Sequence, residues 1–289
     1  MCDDNHKGLV PYTDLSRRKF AALAAGAAAV SVAGCATGQT AMAGAVNERM
    51  VQVRTPDGVC DAALFTPAAR SAPGVLVWPD AGGLRQSIKD MGARLAGRGY
   101  VALVVNPYYR SGDAAAVAAP PGPQDDAARA KRAAIRAAMT DDAIARDAKA
   151  FVDYLDALSE TSNAKVGVQG YCMGGPLSFR TAAAMPDRIG GVATFHGGGL
   201  VTTNPNSPHL LIEKTNARYL IAVAKNDDTT DPQAKVTLRE TFDKTRKSAI
   251  VEVYGGNHGW CVPDNASYMA PEAERAWAAL TTHYKASLV

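Results

Sequence analysis

The stretch Lys165-Val-Gly-Val-Gln-Gly-Tyr-Cys-Met-Gly-Gly175 places one cysteine, Cys172, at the centre of a Gly-x-Cys-x-Gly frame. The apolar residues before Gly170 predict a short strand, and the segment from Met173 to Ala184 predicts a helix. A sharp strand-to-helix turn around a reactive side chain is a nucleophile elbow. It requires glycines on both sides, because a side chain two positions away would collide with a neighbouring strand or helix.

An elbow would also activate the cysteine. The sulfur would point at the N-terminus of the following helix, whose dipole and N–H groups favour the thiolate over the thiol. The backbone N–H of Met173 would then be placed to bind an oxyanion. The alternative is that Cys172 is an ordinary buried cysteine after a core strand, with glycines that mark only a tight turn. Residues elsewhere in the chain must decide between these interpretations.

Composition excludes several classes of function. The chain has 289 residues, a length typical of one α/β domain with a leader. Its 31 basic and 28 acidic residues form no basic stripe and no nucleic-acid motif, so nucleic-acid binding is not expected. The five cysteines show neither CxxC nor metal-ligand spacing, which argues against a zinc site or a thioredoxin-like motif. Cys60 and Cys261 could pair in an oxidising compartment.

The N-terminus has the layout of an export signal. Ser16-Arg-Arg-Lys-Phe20 precedes a weakly apolar segment rich in alanine and glycine, as in twin-arginine signals, and this segment is too short for a transmembrane span. Val32-Ala-Gly-Cys35 resembles a lipoprotein box, which would leave Cys35 lipidated. Ala41-Met-Ala43 instead fits a signal peptidase site that would release a soluble protein. We expect a leader at residues 1–43, a catalytic domain at residues 44–289 and a periplasmic location; an alanine-rich amphipathic helix is the alternative.

The rest of the chain predicts an α/β fold. Arg49–Arg54 and Cys60–Thr66 predict an antiparallel hairpin joined by a Thr-Pro-Asp-Gly turn. Apolar runs then alternate with helical patterns, which indicates a mostly parallel sheet with helices on both faces. The apolar runs follow one another at residues 75–78, 100–105, 165–169, 189–195, 218–224 and 249–254.

Three longer segments complete this prediction. Residues 112–124 are rich in alanine, proline and glycine and predict an exposed loop, either a surface excursion or a flap over the site. Residues 127–158 predict one covering helix, because their apolar positions recur at helical spacing. The segment Pro271–Leu288 predicts a helix packed on the sheet.

A nucleophile in an elbow needs a base, and His258 is the strongest candidate. It lies in Tyr254-Gly-Gly-Asn-His-Gly-Trp260, on a glycine-rich loop after an apolar strand. Functional residues of open α/β sheets lie at this carboxyl edge. His196, in Phe195-His-Gly-Gly-Gly199, also follows a core strand and is the rival, although it is better suited to lining the site.

The acid that orients the base should follow another strand. Lys225-Asn-Asp-Asp228 comes directly after the apolar strand Arg218–Ala224, so Asp227 or Asp228 could reach the histidine loop. Either aspartate could instead cap the helix after Pro232. The order nucleophile, acid, histidine is the order of α/β-hydrolases.

Together these motifs resemble the dienelactone hydrolase (carboxymethylenebutenolidase) family of the α/β-hydrolases. The resemblance covers roughly Val51 to the C-terminus and rests on Gly-Tyr-Cys-Met-Gly-Gly175, Lys-Asn-Asp227 and His-Gly-Trp-Cys-Val-Pro-Asp264. It implies the α/β-hydrolase fold, a catalytic triad of Cys172, His258 and Asp227, and no metal or organic cofactor.

The resemblance implies further site residues. Asp80 stands where the family has a glutamate that controls the thiol, and the Ala81 N–H matches the second oxyanion donor. Asn106-Pro-Tyr-Tyr-Arg110 resembles a family segment that binds the substrate, which implies that Tyr108 and Arg110 bind substrate and that Arg110 holds its carboxylate. The family's second arginine, just beyond the histidine, is absent. Trp260 stands there instead and suggests an apolar pocket or a packed loop.

The reaction expected from this set is hydrolysis of a small ester or lactone through a thioester on Cys172. One alternative is a noncatalytic periplasmic protein that binds a small molecule on the same fold, suggested by Asp80 and the missing arginine. Another is a redox sensor based on Cys172, although no resolving cysteine is its neighbour in sequence. The expected partners are a small-molecule substrate and the twin-arginine export machinery.

Overall fold

An eight-stranded sheet forms the centre of the protein in the computed structural model, which describes residues 45–68, 71–117 and 125–289. The strands are Val46–Thr55 (β1), Gly58–Pro67 (β2), Gly74–Trp78 (β3), Val101–Val105 (β4), Val166–Tyr171 (β5), Ile189–Phe195 (β6), Arg218–Ala224 (β7) and Ala249–Tyr254 (β8). Their order across the sheet is β1-β2-β4-β3-β5-β6-β7-β8. The pairs β1–β2 and β2–β4 are antiparallel, and the other five pairs are parallel. The predicted mostly parallel sheet with an antiparallel opening hairpin is confirmed.

Helices cover both faces of the sheet. They are Gln86–Ala96 (α1), Ala114–Val117 (α2), Asp126–Ala137 (α3), Asp141–Asp156 (α4), Gly174–Ala184 (α5), Lys225–Thr230 (α6), Pro232–Thr245 (α7) and Ala270–Ser287 (α8). Side chains of α1 and α8 join one apolar core, and those of α4, α5 and α7 join a second core on the opposite face. Every residue of β3 and β4 is buried, because both faces of these central strands are covered.

Two segments differ from the sequence-based prediction. The single covering helix expected at residues 127–158 is wrong, because two helices, α3 and α4, occupy it. The helical segment is interrupted before Thr140, whose hydroxyl accepts the Ala143 N–H at 3.2 Å and caps the N-terminus of α4. The expected loop at residues 112–124 contains the one-turn helix α2, and residues 118–124 lie outside the described part of the chain.

The predicted leader, including Cys35, lies outside the described residues as well. Within residues 45–68, 71–117 and 125–289, no helix combines the length and apolar character needed to cross a membrane.

Candidate active site

The elbow has the geometry that its glycines predict. Cys172 adopts a left-handed backbone conformation with φ 51°, and it is 3% exposed. A Cβ at Gly170 would lie 1.9 Å from the Gly174 carbonyl oxygen, and one at Gly174 would lie 2.5 Å from the Trp78 carbonyl oxygen. Only glycine fits either position, so α5 can begin directly against the ends of β3 and β5.

Backbone hydrogen bonds fix the cysteine within this turn. The Cys172 N–H donates to the Phe195 carbonyl at 3.0 Å, which ties the elbow to the end of β6. The Cys172 carbonyl accepts the Gly175 N–H at 3.0 Å. A non-glycine residue whose backbone is held in a left-handed conformation is typical of functional sites. There the backbone strain is tolerated because it fixes the position of the side chain.

His258 is held by two groups from the α6 segment. Its Nδ1 lies 2.7 Å from Asp227 Oδ2, and its backbone N–H donates to Asn226 Oδ1 at 2.7 Å. Asp228 points elsewhere and pairs with Lys235 at 2.5 Å. Of the two aspartates between which the sequence leaves the choice open, Asp227 is the one that contacts His258. The cap of α7 is a third aspartate, Asp231, whose carboxylate accepts the Ala234 N–H at 3.2 Å.

His196 lies beside this histidine. Its ring centroid is 4.7 Å from that of His258 and 5.3 Å from that of Trp260, and the residue is 1% exposed. His196 therefore packs against the candidate base. Trp260 is fully buried and stacks on Tyr254 at 5.2 Å, so its position is that of a packed loop aromatic that supports His196.

A buried ion-pair network links the loop after β3 to the histidine loop. Arg85 donates two hydrogen bonds to Asp80, at 2.6 and 2.9 Å, and two to Asp264, at 2.6 and 2.8 Å. The Asp80 Oδ1 atom also accepts the Gly82 N–H at 2.8 Å. The two carboxylates hold the pKa of Arg85 above its usual value, against the effect of burial. We call this set the Arg85 clamp.

Tyr108 connects the two predicted oxyanion donors. Its hydroxyl donates to the Ala81 carbonyl at 3.0 Å and lies 3.4 Å from the Met173 sulfur. Burial raises the pKa of Tyr108, so the hydroxyl stays protonated and remains a donor.

Arg110 binds carboxylates of the protein itself. Its guanidinium pairs with Asp147 at 2.8 Å and with Asp57 at 2.6 Å, and it lies 4.6 Å from the Tyr109 ring centroid. These contacts tie the β1–β2 turn to α4 and are those of a structural residue. Binding of a substrate carboxylate by Arg110 stays a prediction, and it would require the exchange of an internal ion pair.

Two cysteines outside the elbow lie in the described part of the chain, and both are free thiols. Cys60 and Cys261, which could have formed a disulfide, are both unpaired and buried. Burial raises the pKa of each thiol, so both are expected to react slowly near neutral pH. In the described part of the chain, no group of three or more histidine, cysteine or acidic residues is arranged to hold a metal ion.

Sequence reasoning missed Arg85, Asn226 and the bridging role of Tyr108. Asn226 and Asp264 both lie within the motifs quoted above, but the sequence assigned no role to either residue. Arg85 carried none, since its two partners lie 5 and 179 residues away along the chain.

The sequence pattern of the Dienelactone hydrolase family matches residues 60–288. A putative carboxymethylenebutenolidase of Methylorubrum extorquens is 26% identical over 292 residues, covering 98% of this chain and 97% of the relative. A carboxymethylenebutenolidase of Pseudomonas putida is 30% identical over 152 residues, covering 52% of this chain and 61% of the relative.

Solved structures show the same fold. A putative dienelactone hydrolase from Klebsiella pneumoniae superposes with a TM-score of 0.73 at 20% identity, covering 83% of this chain and 99% of the other. A dienelactone hydrolase-like promiscuous phosphotriesterase from metagenomic libraries gives a TM-score of 0.67 at 21% identity, covering 85% of this chain and all of the other. The chain belongs to the dienelactone hydrolase family, and its enzyme class is that of the carboxylic ester and lactone hydrolases.

Proposed function

We propose that this protein hydrolyses a small ester or lactone by covalent catalysis, with Cys172 as nucleophile, His258 as base and Asp227 as the orienting acid. The observation that carries the proposal is the 2.7 Å contact between His258 Nδ1 and Asp227 Oδ2, on the sheet edge where Cys172 occupies its strained elbow. An acid bound to Nδ1 fixes the imidazole tautomer in which Nε2 can accept the proton of the Cys172 thiol.

In the first half of the reaction, the sulfur of Cys172 attacks the substrate carbonyl carbon as the thiolate; its proton has passed to His258, either in the resting enzyme or during the attack. A carbon–sulfur bond forms, and the carbonyl oxygen becomes an oxyanion. The N–H groups of Met173 and Ala81 are the donors that would stabilise it. When the intermediate collapses, the carbon–oxygen bond of the ester breaks, and protonated His258 gives its proton to the leaving oxygen.

In the second half, His258 takes a proton from water, and the resulting hydroxide attacks the thioester carbonyl carbon. The carbon–sulfur bond breaks, the carboxylic acid leaves, and the thiol recovers its proton from His258. The positive charge on His258 is stabilised in both halves by Asp227. Thiolates attack activated esters and lactones readily, whereas amides are poorer substrates because the amine is a worse leaving group.

The test is a panel of aryl esters and lactones measured with the wild type and with Cys172→Ala. We expect the substitution to abolish turnover, because the covalent step has no nucleophile. Cys261→Ala is the matched control, since it removes another buried thiol and should keep activity within about threefold. Turnover that persists in Cys172→Ala would overturn the proposed triad.

Alkylation separates an enzyme from a noncatalytic binding protein. An activated thiol reacts with iodoacetamide near neutral pH, whereas Cys60 and Cys261 have raised pKa values and react slowly. Peptide mass spectrometry should therefore find the label first at Cys172. Labelling of Cys172 no faster than that of the other two thiols would favour the noncatalytic alternative.

Export through the twin-arginine pathway remains a proposal, supported by Ser16-Arg-Arg-Lys-Phe20 and the weakly apolar segment after it. Replacing Arg17 and Arg18 by lysine should keep the protein in the cytoplasm if the pair is the signal. Mass spectrometry of the mature N-terminus decides between lipidated Cys35 and cleavage after Ala43. An intact N-terminus on protein recovered from the periplasm would contradict both cleavage sites.

A further inference from the structure

The end of β6 holds two parts of the proposed triad together. The Phe195 carbonyl accepts the Cys172 N–H at 3.0 Å, which fixes the elbow. The next residue, His196, donates its backbone N–H to the Ala222 carbonyl on β7 at 2.8 Å. Strand β7 leads directly into α6, the helix that carries Asp227. The backbone on either side of His196 is therefore tied both to the nucleophile and to the strand that precedes the acid.

The backbone conformation of His196 also sets this residue apart. Its φ is 42°, in the left-handed region that residues other than glycine rarely adopt. Four non-glycine residues in the described part of the chain have a positive φ, and two of them are Cys172 and His196. Strained conformations persist where the surroundings impose them, and they cluster at functional sites. The conformation of His196 thus points to a role in the site.

The His196 side chain belongs to a column of aromatic rings that ends at the candidate base. Its ring centroid lies 4.7 Å from that of His258 and 5.3 Å from that of Trp260, with 60° and 73° between the ring planes. Trp260 stacks in turn on Tyr254, the last residue of β8, at 5.2 Å. The three residues behind His258 are each at most 1% exposed. Because such interiors are close-packed, the column has little freedom to move.

The contact with Asp227 alone does not fix the orientation of the base. It joins one ring atom of His258 to one carboxylate oxygen at 2.7 Å, and the Asp227 side chain is 33% exposed. A ring held at one atom can still turn about its side-chain bonds. A shift of about 1 Å in a catalytic group can cost about a hundredfold in rate. A buried ring packed against the imidazole limits this movement.

We infer that His196, packed against Trp260, is a positioning residue that holds the imidazole of His258 in place for proton transfer. The role is assigned to the ring of His196 rather than to its nitrogen atoms, because its contacts with His258 and Trp260 are between rings. The effect on catalysis rests on the proposed hydrolysis, whereas the effect on the orientation of His258 does not.

Two substitutions separate the ring of His196 from its nitrogen atoms. His196→Asn keeps a polar nitrogen and tolerates the left-handed backbone but has no ring. With an aryl ester, we expect it to lower kcat about a hundredfold and to keep KM within about threefold. His196→Phe keeps a ring without nitrogen and should retain kcat within about fivefold. The matched control is His209→Ala, which removes a histidine bonded to Ser207 and should leave both constants within about threefold.

Three kinetic outcomes would overturn the inference. Equal losses of kcat in His196→Asn and His196→Phe would show that a nitrogen atom is required. A raised KM with unchanged kcat would show that His196 contacts the substrate instead. A loss in His209→Ala as large as that in His196→Asn would show that the effect is not specific to the column.

Trp260 is tested by coupling. Trp260→Leu should lower kcat about tenfold, because His196 loses the ring behind it, and His196→Asn combined with Trp260→Leu should be little slower than His196→Asn alone. Losses that multiply in the double variant would show that the two residues act independently, which would overturn the role of the column.

The orientation of His258 can be measured without turnover. The chain has five histidines, so the imidazole N–H signals of protein labelled with ¹⁵N-histidine are few, and the His258 Nδ1–H signal is the one that His258→Gln removes. We expect this signal in the wild type and in His196→Phe. In His196→Asn it should be lost, because a turning ring exchanges the proton with water.

A signal that persists in His196→Asn, or one that is absent from the wild type, would overturn the inference. If the wild type hydrolyses no ester or lactone, the proposed function fails, and the His258 signal still decides whether His196 positions the ring.

Discussion

At the residue scale, Asp227 and Asp228 are adjacent and chemically identical but differ in their partners. We expect Asp227→Asn to lower kcat/KM for an aryl ester by at least about a hundredfold, because the amide no longer stabilises protonated His258. Asp228→Asn removes a pair with Lys235 and should change activity by less than about threefold. Steady-state kinetics of both variants, with circular dichroism to verify folding, measure the difference. Equal losses would contradict the assignment of the acid.

A second prediction concerns the glycines of the elbow. Gly170→Ala should prevent folding or cost more than about 3 kcal/mol of unfolding free energy, because its Cβ would lie 1.9 Å from a backbone oxygen of α5. Gly99→Ala is the matched control. Gly99 has φ 88° with open space around its Cβ, so only the backbone strain of about 1 kcal/mol remains. Urea denaturation compares the two, and similar losses would mean that the elbow tolerates movement.

At the scale of elements, the Arg85 clamp joins the start of α1 to the loop that bears His258. Arg85→Met leaves Asp80 and Asp264 buried and facing each other without their cation. We expect a loss of about 3–5 kcal/mol in stability, together with lower kcat, because both loops shape the site.

The control for the clamp is Arg49→Met, which breaks a pair with Glu160 whose side chains are 43% and 32% exposed. Such a surface pair should contribute less than about 1 kcal/mol. Chemical denaturation and ester kinetics on both variants test the prediction. A stable and fully active Arg85→Met variant would show that the two loops hold their positions independently.

Elements also show how far the sequence predicts this structure. The opening hairpin, the alternation of strands and helices and the mostly parallel sheet follow local rules of spacing, and the structure confirms them. The break between α3 and α4 was missed, although Thr140 followed by two aspartates is a capping signal. The partners of Arg85 and Arg110 could not be predicted, because a guanidinium finds its carboxylate through tertiary contacts that no local pattern records.

At the scale of the whole molecule, stability should depend on pH through His283. Burial, with the charge of Arg218, lowers its pKa from 6.5 to about 4. Between these values the unfolded chain binds a proton at this site and the folded protein does not, so stability falls as the pH decreases. Its contribution is complete above pH 6.5 and is lost by about pH 4, a difference of up to about 3 kcal/mol.

The measurement is urea denaturation of the wild type and His283→Gln at several pH values from 7 to 4. The variant cannot titrate at this position, so its stability should decrease less steeply with falling pH, whatever its stability at pH 7. Parallel profiles for the two proteins would contradict the assignment. A wild type that gains stability relative to the variant as the pH falls would contradict its sign.

The Arg85 clamp has a consequence for synthesis on the ribosome. The chain emerges from its N-terminus, so Cys172 is made before the proposed acid and base, and Arg85 is made before its partner Asp264, 179 residues downstream. Under the proposed mechanism, Cys172 would therefore be activated only after the loop at residues 258–264 has been translated and docked. A nascent or prematurely terminated chain would carry Cys172 as an ordinary thiol. A reactive thiol would be present only in completely synthesised and folded molecules.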